Sequence, residues 1–302
     1  SATKIQTTHF HNIQGDMISL DIKRDDLIDS QISGNKWRKL KYNFHQLDSS
    51  DFKGIASFGG AFSNHIAALA AAGNRANIPT LGFIRTHEID LNNPTLALAS
   101  TLGMSLIPLT REQYRLRHDT EFLSQLQQQH PSYLFVPEGG SNQAAHYGIQ
   151  ELAEEIKQQS DKSIIACAIG SGGTISGLLN ALPKHKFVGV AVVNDQPLLA
   201  RLKSEYRERL LIDTEHLFGG YGKTSAQLND FCLQFFQQTQ VPIEPIYTGK
   251  LFYALCHSVK LRELTKDMLS IHTGGLQGLK GLEYRRQSPP SYWQAVYQQL
   301  AI

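Results

Sequence analysis

An α/β fold with parallel sheets is predicted for this 302-residue chain by two observations. Short apolar runs rich in Val, Ile and Phe recur at 55–58, 80–84, 105–109, 133–136, 164–169, 187–193 and 268–271. Each is short enough to be a strand buried on both faces. Segments with helical character lie between them, at 63–72, 94–102, 111–129, 142–158, 174–182 and 249–264. Strands that alternate with helices build parallel sheets, because parallel neighbours need a crossover connection.

Taken in order, the first helical feature is a basic run opening at Lys36, with Arg38, Lys39 and Lys41. The block 40–140 then holds four β/α alternations, enough for a small sheet domain of its own. Segments 1–39 and 141–302 remain for a larger domain, which the chain leaves and re-enters. In the helix at 142–158, Ala145, Ile149, Leu152 and Ile156 share one face. The strand at 164–169 runs into Gly170-Ser171-Gly172-Gly173-Thr174, which opens the next helix. The Gln-rich patches at 125–129 and 234–240 read as solvated helix faces. Ser288-Pro289-Pro290-Ser291 breaks the chain before a last helix with Trp293 and Val296.

A formal charge of +2 with 41% apolar residues gives no pull toward nucleic acid or an anionic membrane. The three cysteines, Cys167, Cys232 and Cys256, are far apart and lack CxxC spacing, which argues against zinc and a disulfide framework. No metal site is expected. No signal pattern opens the sequence, and no apolar run nears the roughly 20 residues that span a bilayer. A reducing cytoplasm is the expected location.

The glycine-rich loop is the strongest generic sign of chemistry. Glycines let backbone N–H groups crowd an anion, and a helix N-terminus adds about half a positive charge. Ser171 and Thr174 add hydroxyl donors. The same loop can also be only a tight strand-to-helix turn. A dinucleotide fingerprint needs a third glycine or alanine where Ile175 stands, so a nicotinamide site is the lesser reading. Lys36, between Gly34-Asn35 and Trp37-Arg38-Lys39, is either a solvated lysine or a nucleophile with a lowered pKa. Ser63, before Asn64 and His65, reads as a helix N-cap and as a donor to a carboxylate; both can hold at once. Tyr221 and Tyr247 sit in glycine-flanked turns, and nothing local singles them out.

Together, Gly34-Asn35-Lys36, Gly60 through Ser63-Asn64-His65, the loop from Gly170 to Thr174, Tyr221-Gly222, Pro245 through Lys250, and Ile271-His272-Thr273-Gly274-Gly275 stand in an order that carries a resemblance. From about residue 20 to about residue 282, the chain resembles the pyridoxal-phosphate enzymes that include D-cysteine desulfhydrase and 1-aminocyclopropane-1-carboxylate (ACC) deaminase. The resemblance implies two open parallel-sheet domains of the tryptophan synthase β subunit type (fold type II), a homodimer, and a small amino acid as substrate. It implies that Lys36 binds pyridoxal 5'-phosphate as a Schiff base and later carries the substrate's α-proton. Asn64 would bond the cofactor's ring oxygen. Ser63 and His65 would contact the substrate carboxylate, with Asn64 alongside. The backbone from Gly170 through Ser171, Gly172 and Gly173 to Thr174 would hold the phosphate. Tyr247 would lie close to cofactor and substrate, and Tyr221 would line the pocket.

ACC deaminases typically carry glutamate after the tyrosine and leucine in the later His-Leu-Gly-Gly segment. Thr248 and Thr273 stand there instead, the pairing expected of a D-cysteine desulfhydrase, and both are cofactor-binding candidates. A carboxylate beside the pyridine nitrogen would strengthen the ring as an electron sink, which is useful for opening a cyclopropane with no α-hydrogen. β-Elimination of thiolate needs less help. The resemblance therefore implies a D-cysteine lyase, with ACC deamination as the alternative and a non-catalytic cofactor-binding protein as a reading of another class. Trp37, Ala61 and Phe62 depart from the family pattern and bear on the pocket's size and polarity.

Overall fold

A computed structural model of the chain describes residues 2–29, 32, 36–138, 142–220 and 222–276. The chain divides into two compact units, residues 29–148 and residues 1–28 with 149–302. The sequence pattern put the crossings at 39/40 and 140/141. The units part outside those points, so Lys36 goes with the smaller unit.

The larger unit opens on a hairpin, β1 (Ile5–His11) paired antiparallel with β2 (Met17–Arg24). Gly15, at φ 85°, supplies the left-handed residue of its turn. Mixed polar and apolar residues along β1 hid this hairpin from a search for apolar runs.

In the smaller unit, α1 (Lys36–Leu47) leads into β3 (Gly54–Gly60), α2 (Asn64–Ala76), β4 (Thr80–Arg85), α3 (Pro94–Thr101) and β5 (Met104–Leu109). Then come α4 (Arg111–Arg115), α5 (Thr120–Gln129) and β6 (Tyr133–Phe135). The single helix expected at 111–129 is two, because Asp119 is extended and caps α5 by accepting from the Phe122 N–H at 2.9 Å. The four strands lie parallel in the order β5-β4-β3-β6. Along β3, Ile55 packs on one face with Leu40, Phe44, Ile66 and Leu69. Ala56 and Phe58 pack on the other with Phe83, Tyr114 and Leu126. This period-2 alternation seats helices on both faces of the sheet.

Helix α6 (Gln143–Gln159) leads back into the larger unit. There follow β7 (Ile164–Ile169), α7 (Gly173–Ala181), β8 (Lys186–Ala191), α8 (Gln196–Tyr206) and β9 (Leu210–Asp213). Last come α9 (Ala226–Thr239), α10 (Thr248–His257), α11 (Val259–Arg262) and β10 (Met268–His272). The helix expected at 249–264 breaks at Ser258, which is extended and caps α11. The six strands run in the order β1-β2-β10-β7-β8-β9, parallel except for the hairpin. Ile165, Cys167 and Ile169 face Ile149, Leu152, Leu178 and Leu202, while Ala166 and Ala168 face Phe235 and Phe252. The small residues on that second face admit the rings of α9 and α10. All three cysteines are buried. No helix among the described residues is long and apolar enough to cross a membrane. The expected final helix with Trp293 and Val296 lies outside the described residues.

Candidate active site

The candidate residues divide between the units. Lys36, Ser63, Asn64 and His65 belong to the smaller one; Gly170 to Thr174, Tyr247, Thr248 and Thr273 belong to the larger. Tyr221 lies outside the described residues.

Lys36 is the first residue of α1 and is half-buried. Burial lowers its ammonium below the ordinary lysine value, and the Glu138 carboxylate opposes the shift. A lowered value leaves more neutral amine near pH 7, as a nucleophile requires. Glu138 is itself held by the Tyr114 hydroxyl at 2.6 Å and by Arg117 Nε at 2.5 Å. Neither Arg38 nor Lys39 is the surface residue that a basic run suggests; each is only 4% exposed. Trp37 turns toward the core, where it packs near Phe44 at 6.5 Å between ring centroids.

Ser63 caps α2, its Oγ accepting from the Ile66 N–H at 3.2 Å. Its hydroxyl proton is not consumed by that bond, so the cap and a ligand contact are compatible. Asn64, half-buried, opens the helix. His65 is enclosed in a different way. Its Nε2 lies 2.7 Å from Ser57 Oγ, and that oxygen lies 2.7 Å from the carbonyl of Val136. Two oxygens that close need a proton between them, and Ser57 has only one to give. Ser57 therefore donates to Val136, and His65 Nε2–H donates to Ser57. The remaining nitrogen, Nδ1, is a bare acceptor, buried and without a partner among the described residues. Burial, then the charges of Lys36 and Lys39, push the imidazole down to about 3. A neutral ring with a bare Nδ1 has no proton to give a substrate carboxylate, which leaves the backbone N–H of His65, in the first turn of α2, as its donor for the implied contact.

This shift has a consequence for stability. Between the ordinary value of 6.5 and about 3, the unfolded chain binds a proton at position 65 that the folded chain refuses. The contribution, on the order of a few kcal/mol, is present above that window and lost as pH falls through it. His65→Gln is expected to lose less stability than the parent between about pH 7 and about pH 5, measured by denaturant midpoints. An equal loss in both would contradict the assignment.

In the larger unit, Gly172 stands at φ 84° and begins α7. The N–H groups of the first turn have no partners within the helix and point out of its end. A Cβ on Gly170 would come within 2.8 Å of the Tyr247 ring, so Tyr247 packs against the loop because position 170 has no side chain. Gly170→Ala should displace that ring and weaken cofactor binding about tenfold or more, as read by fluorescence titration. Unchanged affinity would separate Tyr247 from the site.

Glu244 was not among the sequence candidates. It is completely buried and accepts from the N–H groups of Ile246, Tyr247 and Thr248 at 2.6, 2.9 and 2.7 Å. The Thr248 hydroxyl donates to it at 2.9 Å. Burial raises its carboxyl to about 7, while these donors pull the other way. It thus fixes both Tyr247 and the start of α10. A glutamate just ahead of a helix start was the available signal. Thr248 is as deeply buried, with its hydroxyl proton committed to Glu244. Thr273 is half-buried and stays more open. The turn after it is pinned by His272, whose Nε2 donates to Pro242 at 2.6 Å and whose Nδ1 accepts from the Gly274 N–H at 3.0 Å. Lys250, fully enclosed, donates to the Gly220 carbonyl at 2.7 Å. Burial brings it down to about 8, against the pull of Glu244.

Each unit taken by itself carries groups that suit pyridoxal phosphate: in the larger, the N-terminus of α7 offers backbone N–H donors to an anion, and in the smaller, Lys36 offers an amine whose charged form burial disfavours. Among the described residues, no three potential ligands gather to hold a metal.

Comparison with known proteins gives the same family. The family model described as pyridoxal-phosphate dependent enzyme matches residues 10–274. A bifunctional D-cysteine desulfhydrase/ACC deaminase of Arabidopsis thaliana, described as mitochondrial, is 29% identical over 298 residues, covering 85% of this chain and 72% of that one. A putative ACC deaminase of Thermotoga maritima is 30% identical over 282 residues, covering 85% and 89%. The crystal structure of an ACC deaminase homologue matches with a TM-score of 0.75 at 26% identity, over 94% of each chain.

Proposed function

Because the chain belongs to the pyridoxal-phosphate-dependent enzyme family, as a lyase of its ACC deaminase/D-cysteine desulfhydrase group, we propose that it acts on D-cysteine. With water, D-cysteine gives pyruvate, ammonia and hydrogen sulfide. The observation that carries this reading is the pair Thr248 and Thr273, standing where a deaminase would carry glutamate and leucine. Glu244 does not replace the missing carboxylate. Its oxygens are enclosed by the donors of its own turn, so it caps a helix instead of presenting charge to a ligand.

When bound, the cofactor supplies an electron sink for charge developing at the α-carbon. The chain does the rest. Lys36 would hold the cofactor through its amine and would take the substrate's α-proton at Nζ. Ser63 directs its hydroxyl proton at the substrate carboxylate, with the N-terminus of α2 behind it. Asn64 orients the ring through its amide. The first turn of α7 anchors the phosphate. Tyr247, packed against Gly170 and tied by its N–H to Glu244, would lie beside the cofactor. A homodimer in a reducing cytoplasm belongs to the same proposal.

The second reading is ACC deamination to 2-oxobutyrate and ammonia, favoured by the names of the relatives. Exchanging Thr248 for glutamate alone would set a second carboxylate beside buried Glu244, where like charges cannot both ionise. The informative variant is therefore Thr248→Glu/Thr273→Leu with Glu244→Gln. It is expected to raise the ratio of 2-oxobutyrate to pyruvate about tenfold or more. An unchanged ratio in a folded, cofactor-loaded variant would sink the two-threonine argument.

A further inference from the structure

His65 carries the feature that the reaction scheme leaves unused. Its imidazole is 3% exposed, its tautomer is set by the chain Nε2–H to Ser57 to Val136, and Nδ1 has no partner among the described residues. Buried polar atoms are nearly always paired, and one that is not calls for a cause, of which a catalytic role is one. The substrate carboxylate cannot serve Nδ1, since it has no proton to give. The charges that act on the ring are those of Lys36 and Lys39. Only Lys36 changes its bonding and charge in the proposed reaction.

We propose that His65 is a positioning residue whose Nδ1 accepts a hydrogen bond from the ε-ammonium of Lys36 after that amine has taken the substrate's α-proton. The step moves one proton, from the α-carbon to Lys36 Nζ, leaving the electron pair with the carbon. His65 neither gains nor loses a proton. It holds the newly formed ammonium in line, so that the proton can be returned or passed on. Ser57 acts one step further out, by keeping the ring from presenting N–H where a lone pair is needed. The inference rests on Lys36 being the reactive lysine.

The test uses D-alanine, which has an α-proton but no β-leaving group, so that exchange in deuterium oxide reports proton transfer alone. His65→Gln keeps a donor for Ser57 at the Nε2 position and removes the acceptor. His65→Asn keeps an acceptor near the Nδ1 position and gives up Ser57. With cofactor loaded, the glutamine variant is expected to exchange about tenfold more slowly than the parent, and the asparagine variant to stay within about threefold of it. Nitrogen-15 NMR of the loaded parent should show Nε2 protonated and Nδ1 bare. Parent-like exchange in the glutamine variant, or a proton on Nδ1, would overturn the assignment. Exchange that survives Lys36→Ala would instead show that Lys36 is not the reactive lysine. No exchange by the parent with D-alanine or D-cysteine would sink the lyase reading, and the inference with it.

Discussion

Lys36→Ala is expected to remove the visible absorbance of the cofactor–lysine Schiff base and to lower turnover by about a thousandfold or more, because the nucleophile and proton carrier are lost together. Cofactor should still bind through the turn at Gly170 to Thr174, only more weakly and without the covalent band. The rival is Lys250, fully buried and brought down to about 8 by burial. Its ammonium is spent on the Gly220 carbonyl at 2.7 Å, which makes it a tether for that turn. Lys250→Met should therefore keep the covalent band. If the band survived in the alanine variant of Lys36 and vanished with Lys250, the two roles would have to be exchanged.

The second large effect is expected far from any ligand contact. Gly148 lies inside α6, and a Cβ there would run into the carbonyl of Arg38, in the first turns of α1. Both parties are backbone, so no side chain can swing away. Gly148→Ala should cost more than the roughly 1–3 kcal/mol typical of overpacking. It should also push on the helix that begins with Lys36. The expected result is a lower denaturation midpoint together with reduced cofactor loading. A variant with parent-like stability and loading would mean that α1 can shift freely, and that its close contact with α6 does not hold Lys36 in place.

The parallel strands were legible because burial on both faces leaves a continuous apolar run, as in Ile164–Ile169. The β1–β2 hairpin was not, because its strands mix exposed and buried positions and its turn, Asn12 to Asp16, carries no Asn-Gly or Asp-Gly pair. Helix α9 was masked by its glutamines, although Leu228, Phe231, Phe235 and Phe236 on it are buried. In the candidate site, the chemical groups could be read as motifs: the amine, the glycine-rich turn, Ser63 with its neighbours. Their support could not. Ser57 and His65 are brought together by a strand and the helix after it, eight positions apart, and nothing in either residue announces the tautomer lock. Glu244 and Lys250 are charged residues in fully enclosed places, which residue type alone argues against. The division between the units also moved, because α1 packs Leu40 and Phe44 into the core of the smaller unit.

The central claim is a lyase acting on D-cysteine, and product analysis tests it most directly. Purified protein loaded with pyridoxal phosphate is given D-cysteine, L-cysteine and ACC in parallel, and pyruvate and 2-oxobutyrate are measured. Pyruvate from D-cysteine, with little from L-cysteine and no 2-oxobutyrate from ACC, is the predicted result. 2-Oxobutyrate from ACC with no product from D-cysteine would contradict it, and would return the chain to the deaminases despite Thr248 and Thr273.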